Sequence, residues 1–368
     1  MYFVISAGGT AGHINPALAI CDELKKCGHD ILFVGTSNHM ESRLAPKAGF
    51  DFCPIDVSGF DKAKPLTLIT ALLKMNSATN KIKKLFQTRR PDAVVGFGAY
   101  VSLPVGNAAK SMNIPLAVHE QNSLPGMANK QLAKSADLIA LTYEYSKQFL
   151  HSKVQPRLFG NPVRAEFESA SSIKGRKSLN IPDDAIMLLV MGGSLGAKHI
   201  NQAICSIKDD LLALDNVYVV QSSGKDDYDS TVNSLNLSEE QKKRWKVKPY
   251  IDNMAEVLHA ADFVVSRAGA SALAEIMSTG TPAILVPFPF ARGDHQTYNA
   301  KSCVEAGAAV LVSDDQVEGR EFKSLVLKLA TDSKMRSDMH DACMQFSGSK
   351  AREKFAKAII NLAKKGLK

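Results

Sequence analysis

Phe263-Val264-Val265-Ser266-Arg267-Ala268-Gly269-Ala270-Ser271-Ala272-Leu273-Ala274-Glu275 decides the fold, together with the residues after it as far as Ala300. Phe263 to Ser266 is a short, apolar, β-branched run of the buried-strand kind. Arg267 to Ser271 are mostly small residues that let a ligand reach the backbone, and the pattern predicts a helix over 272–277. A helix entered from small residues carries partial positive charge at its first N–H groups and suits a phosphate. Glu275, in its opening turns, can accept hydrogen bonds from ribose hydroxyls. A second strand, Ala283-Ile284-Leu285-Val286, runs into Pro287-Phe288-Pro289-Phe290, and Gly293-Asp294-His295-Gln296-Thr297-Tyr298-Asn299-Ala300 carries a polar cluster into another helix. Two strand ends that each hand polar groups to a helix start make the crevice where open α/β sheets bind ligands. An ordinary βα turn with a capped helix is the plain alternative for either loop alone.

At 368 residues the chain is long for one core, and two domains of ordinary size are expected. Its 45% apolar and 22% charged residues are the proportions of a soluble globular protein. The cysteines at 21, 27, 53, 205, 303 and 343 include no C-x-x-C and no His-paired metal spacing, so reduced and mostly buried thiols are expected rather than a disulfide framework. Tyr2-Phe3-Val4-Ile5 already reads as a strand, and no run reaches the ~18 apolar residues that span a bilayer. A cytosolic protein, or one lying on a membrane without crossing it, is expected. The net charge of +8 calls for an anionic partner: nucleic acid, a phosphorylated ligand or an acidic lipid surface. No nucleic-acid motif appears, and the basic excess lacks the aromatic interleaving of a single-strand binder.

Along the chain, Tyr2–Ser6 is the first strand and Ala7-Gly8-Gly9-Thr10-Ala11-Gly12-His13 the loop after it, with a helix predicted from Ile14 to Cys27. The loop is glycine-rich but is not G-x-G-x-x-G, and the next strand, Ile31–Val34, ends in Gly35-Thr36-Ser37 without the carboxylate that would hold an adenosine ribose. A dinucleotide dehydrogenase is therefore disfavoured. His13 stands where a side chain would face a ligand, with helix capping as the plain alternative. Asp92 to Tyr100 is a strand passing into another glycine turn, and Pro115–Val118 delivers His119-Glu120-Gln121-Asn122 to the same sheet edge. The Asn161-Pro162 step, followed by a polar run over Glu166–Ser178, marks a domain boundary. The pattern then restarts: the apolar strand Ile186–Met191, the glycine loop Gly192-Gly193-Ser194-Leu195-Gly196-Ala197, and a helix carrying His199 and Asn201. Two similar doubly wound halves are expected from this repetition.

Pro65 to Arg90 is compositionally odd. Leu66, Leu68, Ile69, Leu72, Leu73 and Met75 fall on one arc of a helix, Lys74, Lys81, Lys83, Lys84, Arg89 and Arg90 accompany them, and the interval holds no acidic residue. Such a segment can hold an anionic leaflet at about 1 kcal/mol per cation; a core-facing helix with a basic outer face is the alternative.

Eight motifs in order, GGTAGHINPALAI, VVGFGAYVSLP, HEQNSLPGMANK, GNPVR, MGGSLGAKHIN, YIDNM, SRAGASALAEI and GDHQTYNA, resemble the GT-B N-acetylglucosaminyltransferase family of bacterial peptidoglycan synthesis over nearly the whole chain. Ala11 departs from the usual glycine before the histidine and adds a methyl beside a ligand, and the Asp294–Thr297 segment differs from some members. The resemblance implies an α/β, GT-B fold of two facing Rossmann-like domains with a cleft between them. It assigns residues 1–163 to the acceptor and the membrane, 164–346 to the UDP-sugar donor, and packs a last helix, about 347–368, back on the first domain.

It also implies the reaction: inverting transfer of GlcNAc from UDP-GlcNAc to the C4 hydroxyl of undecaprenyl-pyrophosphoryl-MurNAc-pentapeptide, lipid I, giving lipid II. Arg164 and Ser194 would hold donor phosphate, Ile251 the uracil through its backbone, Glu275 the ribose, and Ala270, Ser271, Ala272, Leu273 and Ala274 the phosphates. Gln296 would bind the transferred sugar, and Thr10, Ala11, Gly12 and Asn122 would line the first domain's side. His13 is the first candidate for the general base and Glu120 the second. No Asp-x-Asp stands at a strand end, so no metal and no cofactor is required. The implied location is the cytoplasmic side of the plasma membrane, held peripherally through about 65–90, with other cell-wall synthesis proteins as further partners. Two rivals share parts of the pattern. A UDP-GlcNAc 2-epimerase would keep donor recognition without a lipid acceptor. A non-catalytic sugar-nucleotide-binding scaffold would have no reason to keep His13, Glu120 and Asn122 together.

Overall fold

The computed structural model describes residues 1–59, 65–193, 196–346 and 350–366. The chain divides into two compact units: Met1–Arg164 together with the closing helix Ala351–Gly366, and the segment from Ala165 to the helix Ser333–Phe346.

The strands of the first unit are β1 (Tyr2–Ser6), β2 (Asp30–Thr36), β3 (Asp51–Ile55), β4 (Ala93–Gly96), β5 (Leu116–Glu120), β6 (Leu138–Leu141) and β7 (Arg157–Leu158). They form one parallel sheet in the order β3-β2-β1-β4-β5-β6-β7. Those of the second are β8 (Ile186–Met191), β9 (Val217–Ser222), β10 (Trp245–Lys248), β11 (Phe263–Ser266), β12 (Ala283–Leu285) and β13 (Ala309–Leu311), in the order β10-β9-β8-β11-β12-β13. Both orders are doubly wound, as the repeated strand–loop–helix pattern leads one to expect. Each places a topological switch point beside its first strand, where ligands bind in such sheets. At β1/β4 Ser6 pairs with Gly96, and at β8/β11 Met191 pairs with Ser266.

The central strands are buried along almost their whole length, which is why they read as continuous apolar runs rather than alternating ones. Helices cover both faces of each sheet. In the first unit one face packs Phe3, Ile5, Phe33 and Phe97 against the closing helix through Phe355 and Ile359, and the other packs Val4, Val94 and Val118 against Ile82, Phe86 and Val105. Burial of that many large side chains, at roughly 1.5–3 kcal/mol each, is what holds a sheet of this kind together. The closing helix is further fixed by a buried ion pair between Arg352 and Glu23 at 3.1 Å. All six cysteines are free: Cys21, Cys303 and Cys343 are buried, Cys53 and Cys205 half-buried, and Cys27 exposed.

The structure moves several helix starts toward the chain's beginning. The first helix runs Ala11–Lys26 rather than from Ile14, so His13 lies in its first turn and not in a loop. The helix after β11 opens at Ala270 rather than Ala272, and that after β4 opens at Ala99, inside the segment read as a glycine turn. In each case the helix opens on an alanine in or directly after a glycine-rich loop, and the glycine signal masks the start. The strands β3, β7 and β10 have no counterpart in the sequence reading. β3 and β10 are strands of mixed polarity at sheet edges and β7 spans two exposed residues, so none shows a buried-strand pattern.

Candidate active site

In the first unit the switch point gathers the loop after β1, the loop after β4 and the end of β5. Thr10 is the N-cap residue of the first helix; its carbonyl accepts from His13 N at 3.0 Å and Ile14 N at 3.2 Å. Its hydroxyl lies 3.2 Å from His13 Nδ1, which fixes the imidazole over the loop. Ala11, Gly12 and His13 are half-buried and Thr10 is exposed. Gly98, with φ 95° and ψ −163°, passes directly under the ring: a Cβ there would stand 3.1 Å from His13 Cδ2 and 3.3 Å from Nε2.

The glycine loop is held from behind by Glu41, which sequence reasoning passed over. This carboxylate is fully buried. It accepts from Thr36 N at 3.0 Å, Thr36 Oγ1 at 2.5 Å and Gly9 N at 3.4 Å. It also accounts for two glycines, since a Cβ on Gly8 would meet Glu41 Oε1 at 2.5 Å and one on Gly35 would meet its Cγ at 2.4 Å.

At the end of β5, Glu120 is turned inward and buried. Oε1 accepts from Asn122 N at 3.0 Å and Asn122 Nδ2 at 3.3 Å, and Oε2 from Asn129 Nδ2 at 2.8 Å and Gly126 N at 3.1 Å. Burial raises its carboxyl above the usual range, while these four donors pull it back down. A carboxylate so fully engaged shapes the 121–126 loop that presents Asn122. His119 beside it donates from Nε2 to the Gly160 carbonyl at 3.0 Å and accepts at Nδ1 from Gln121 Nε2 at 3.1 Å, and burial drops its pKa to about 4. It is a neutral core residue.

In the second unit, Ser194 and Leu195 lie outside the described residues. The rest of their loop has little freedom. Gly192 and Gly196 must be glycine because a Cβ would meet Ala197 N at 2.2 Å and Ser223 O at 2.3 Å respectively. The Ala270–Thr279 helix is capped by the backbone of Gly269, with no side-chain cap bond and no acidic residue in its first turn. Ala270 and Leu273 are buried, and Ser271, Ala272, Ala274 and Glu275 half-buried. Ile251 is buried beside the exposed Tyr250. Gln296, half-buried, uses its amide oxygen to join two loops, accepting from Ala268 N at 3.1 Å and Phe288 N at 3.0 Å. Arg267, which sequence reasoning left without a role, ties the three strand ends together. Its Nη1 donates to the carbonyls of Val286 and Pro287 and to Asp314 Oδ1 at 2.5 Å, and the other oxygen of Asp314 is 2.7 Å from His199 Nδ1. Only its place at the end of β11 could have signalled this. Arg164 closes the first unit and is half-buried.

The Pro65–Thr88 helix turns Ala71, Ala78, Ile82 and Phe86 to the core and leaves Leu68, Ile69, Leu72 and Leu73 between 41% and 64% exposed. Its positive charge is partly engaged from outside the interval: Lys74 pairs with Asp56 at 3.0 Å and Lys81 donates to the Pro54 carbonyl at 2.7 Å. Among the described residues no helix is long and apolar enough to cross a membrane.

Both halves match known family models: the glycosyltransferase family 28 N-terminal domain over residues 3–141 and the family 28 C-terminal domain over 187–360. The fold is thus that of a two-domain glycosyltransferase. A curated relative from Halothermothrix orenii is 35% identical over 369 residues, covering 99% of this chain and all of its own. One from Caldicellulosiruptor saccharolyticus is 36% identical over 356 residues, 96% of each chain. Both carry the name UDP-N-acetylglucosamine–N-acetylmuramyl-(pentapeptide) pyrophosphoryl-undecaprenol N-acetylglucosamine transferase. The crystal structure of Acinetobacter baumannii MurG superposes with a TM-score of 0.74 at 25% identity, covering 98% of this chain and 99% of that one. The chain belongs to this family of N-acetylglucosamine transferases.

Proposed function

We infer that the protein transfers GlcNAc from UDP-GlcNAc to the C4 hydroxyl of MurNAc in undecaprenyl-pyrophosphoryl-MurNAc-pentapeptide, with inversion at the anomeric carbon. The observation that carries this is full-length identity of about a third to relatives of that name, with all eight motifs in order. The acceptor oxygen attacks C1 of the donor sugar, the C1–O bond to UDP breaks, the hydroxyl proton passes to a base, and UDP leaves with the electron pair. In this reading residues 1–163 with the closing helix serve the acceptor and 164–346 the donor. His13 takes the proton, because Thr10 orients its ring and Gly98 makes room for it, whereas Glu120 is consumed by four internal donors. Arg164, Ser194 and the turn at Ala270–Ala274 neutralise the leaving diphosphate, Ile251 and Glu275 hold the uridine, Gln296 Nε2 the sugar, and Thr10, Ala11, Gly12 and Asn122 the acceptor. In this mechanism the charge of the leaving diphosphate is met by protein groups.

Release of UDP from UDP-GlcNAc in the presence and absence of a lipid I analogue tests the reaction. Acceptor-dependent release with glycosylated product is expected, and release without acceptor would instead indicate an epimerase-like chemistry. His13→Ala should lower kcat by roughly 10²–10⁴-fold; a loss under tenfold moves the base elsewhere.

We further propose that the exposed Leu68–Leu73 face docks peripherally on the anionic cytoplasmic leaflet, where a lipid-linked acceptor must be met. Charge reversal at Lys81, Lys83 and Lys84 should weaken cosedimentation with anionic vesicles, and unchanged cosedimentation refutes a role for those lysines.

A further inference from the structure

Beside that exposed face, wholly within the first unit, is a concave cavity of about 740 Å³. Its wall is largely carbon: Leu68, Leu72, Met75, Leu103, Met127 and Phe149 contribute, with Ala71 and Ala128. Among the described residues no acidic one lines it, and its ionisable rim is Lys130, Lys134 and His151. The two lysines stand four residues apart at the end of the Met127–Ala133 helix, exposed, with Lys130 Nζ 5.4 Å from the centre of the Phe149 ring. The volume is within the ~300–1,000 Å³ of small-molecule sites. An apolar trough with a cationic rim fits a long hydrocarbon bearing an anionic head, and neither an uncharged chain nor a free phosphate uses both features.

Two kinds of molecule have that chemistry here: a leaflet phospholipid, and the isoprenoid diphosphate that anchors the acceptor. The position of the cavity favours the second. Tyr100 is part of its wall, two residues after Gly98, the glycine packed under His13. Tyr100 in turn packs on Gly59, where a Cβ would stand 2.6 Å from the ring. The turn that seats the candidate base therefore continues directly into the cavity wall. A chain attached through its diphosphate to the sugar at His13 is delivered to this trough, whereas a phospholipid has no such tether. Ile69 and Leu73, exposed on the same helix, are not part of the wall, so a leaflet can cover them without either enclosing a chain.

We propose that the cavity is a subsite for the diphosphate-proximal isoprenoid units of the lipid acceptor, with Lys130 and Lys134 on the diphosphate side. This rests on the reading that the acceptor is polyprenyl-linked. It gives the enzyme a way to recognise the anchor itself as well as the sugar.

A C15 isoprenyl diphosphate is the probe, used with the full-length protein without vesicles or detergent micelles so that no leaflet is present. It should compete with a soluble acceptor and not with UDP-GlcNAc, and bind at least about tenfold better than inorganic diphosphate, which is roughly what two buried methylenes supply. Leu72→Glu should weaken the probe by about tenfold or more. Leu73→Glu, at a comparably exposed neighbour that does not line the cavity, should change it less than twofold. Both side chains are more than half exposed, so neither substitution endangers the core. Equal effects of the two substitutions, or a probe no better than inorganic diphosphate, overturn the subsite and leave the face to the leaflet alone. Binding is read by calorimetry as well as by inhibition. Failure of transfer to every polyprenyl-linked acceptor therefore refutes the functional reading, while the cavity is still judged on whether it binds the chain.

Discussion

Gly98→Ala isolates the claim that the His13 ring must sit where it does. Gly98 has φ 95° and ψ −163°, a conformation open essentially to glycine alone. A side chain held there costs about 1–3 kcal/mol. The new methyl would also meet His13 Cδ2 at 3.1 Å, His13 Nε2 at 3.3 Å and Asn129 Nδ2 at 3.3 Å, closer than ordinary carbon contacts. The Asn129 amide is pinned by the His119 carbonyl at 2.9 Å and by Glu120 Oε2 at 2.8 Å, so the imidazole, oriented by Thr10, gives way by a few tenths of an ångström. A 1 Å misplacement of a reacting group costs about 10²-fold, so a loss in kcat of roughly tenfold is expected, smaller than that of His13→Ala. KM for UDP-GlcNAc should stay within twofold. Gly126→Ala is the control, because no atom lies within 4 Å of the Cβ it would add and its φ is −65°. Urea unfolding gives the stability change and acceptor-dependent UDP release gives the rate. A Gly98→Ala protein destabilised as expected but with kcat within twofold of the parent would refute the link between ring position and catalysis. One that loses no stability would refute the backbone argument itself.

Three further outcomes are expected. Gln296→Glu keeps an oxygen for Ala268 N and Phe288 N but removes the amide donors, so the fold should hold while kcat/KM for UDP-GlcNAc falls by about tenfold; unaltered kinetics would reduce Gln296 to a loop clamp. Glu41→Gln leaves one of three buried donors facing an NH2 group, which should cost about 1–3 kcal/mol in urea unfolding and lower kcat by loosening the loop that carries Thr10 and His13. A change of a few tenths would show the loop to be self-supporting. His119 titrates near 6.5 when unfolded and at about 4 when folded, so between those values the unfolded chain binds a proton that the native one does not. Stability should therefore fall as pH drops from about 6.5 to 4 and level off below, by at most about 3.5 kcal/mol from this residue at ~1.4 kcal/mol per pH unit. The stability difference between the parent and His119→Gln should vary with pH across that window and not above it. The raised Glu120 carboxyl works in the opposite direction but is present in both proteins.

The features legible in the sequence share a physical cause. Ile186–Met191 and Phe263–Ser266 are buried on both faces, so their apolar runs are uninterrupted and their bounds could be read directly. The glycine loops were legible because a Cβ at Gly192 or Gly196 collides with backbone, which no other residue type can avoid. The outward leucines of the Pro65–Thr88 helix were legible as an arc but not as an exposed one. That depends on Ala71, Ala78, Ile82 and Phe86 taking the core side, and apolar residues on both faces leave the inward direction undetermined by periodicity alone.

What stayed hidden is long-range in sequence and local in space. Glu41 looks like any first-turn glutamate of a short surface helix. Its role exists only because β2 ends beside β1, so that Thr36 and Gly9 converge on one carboxylate. The glycines at 8 and 35 and the glutamate at 41 are one packing solution written at three separate places, and no single one implies the others. Arg267 and Asp314 behave the same way, the guanidinium joining the ends of β11, β12 and the segment after β13. Buried charges of this kind are costly unless their lone pairs and protons are matched. Each of these carries several partners, and the loops at the switch points are fixed by groups that never need to touch a substrate. The same reasoning separates the two carboxylate and imidazole candidates at the first site. Glu120 has the composition of a base and the surroundings of a strut, while His13 lies half-buried in a turn of small residues with a glycine cleared beneath it.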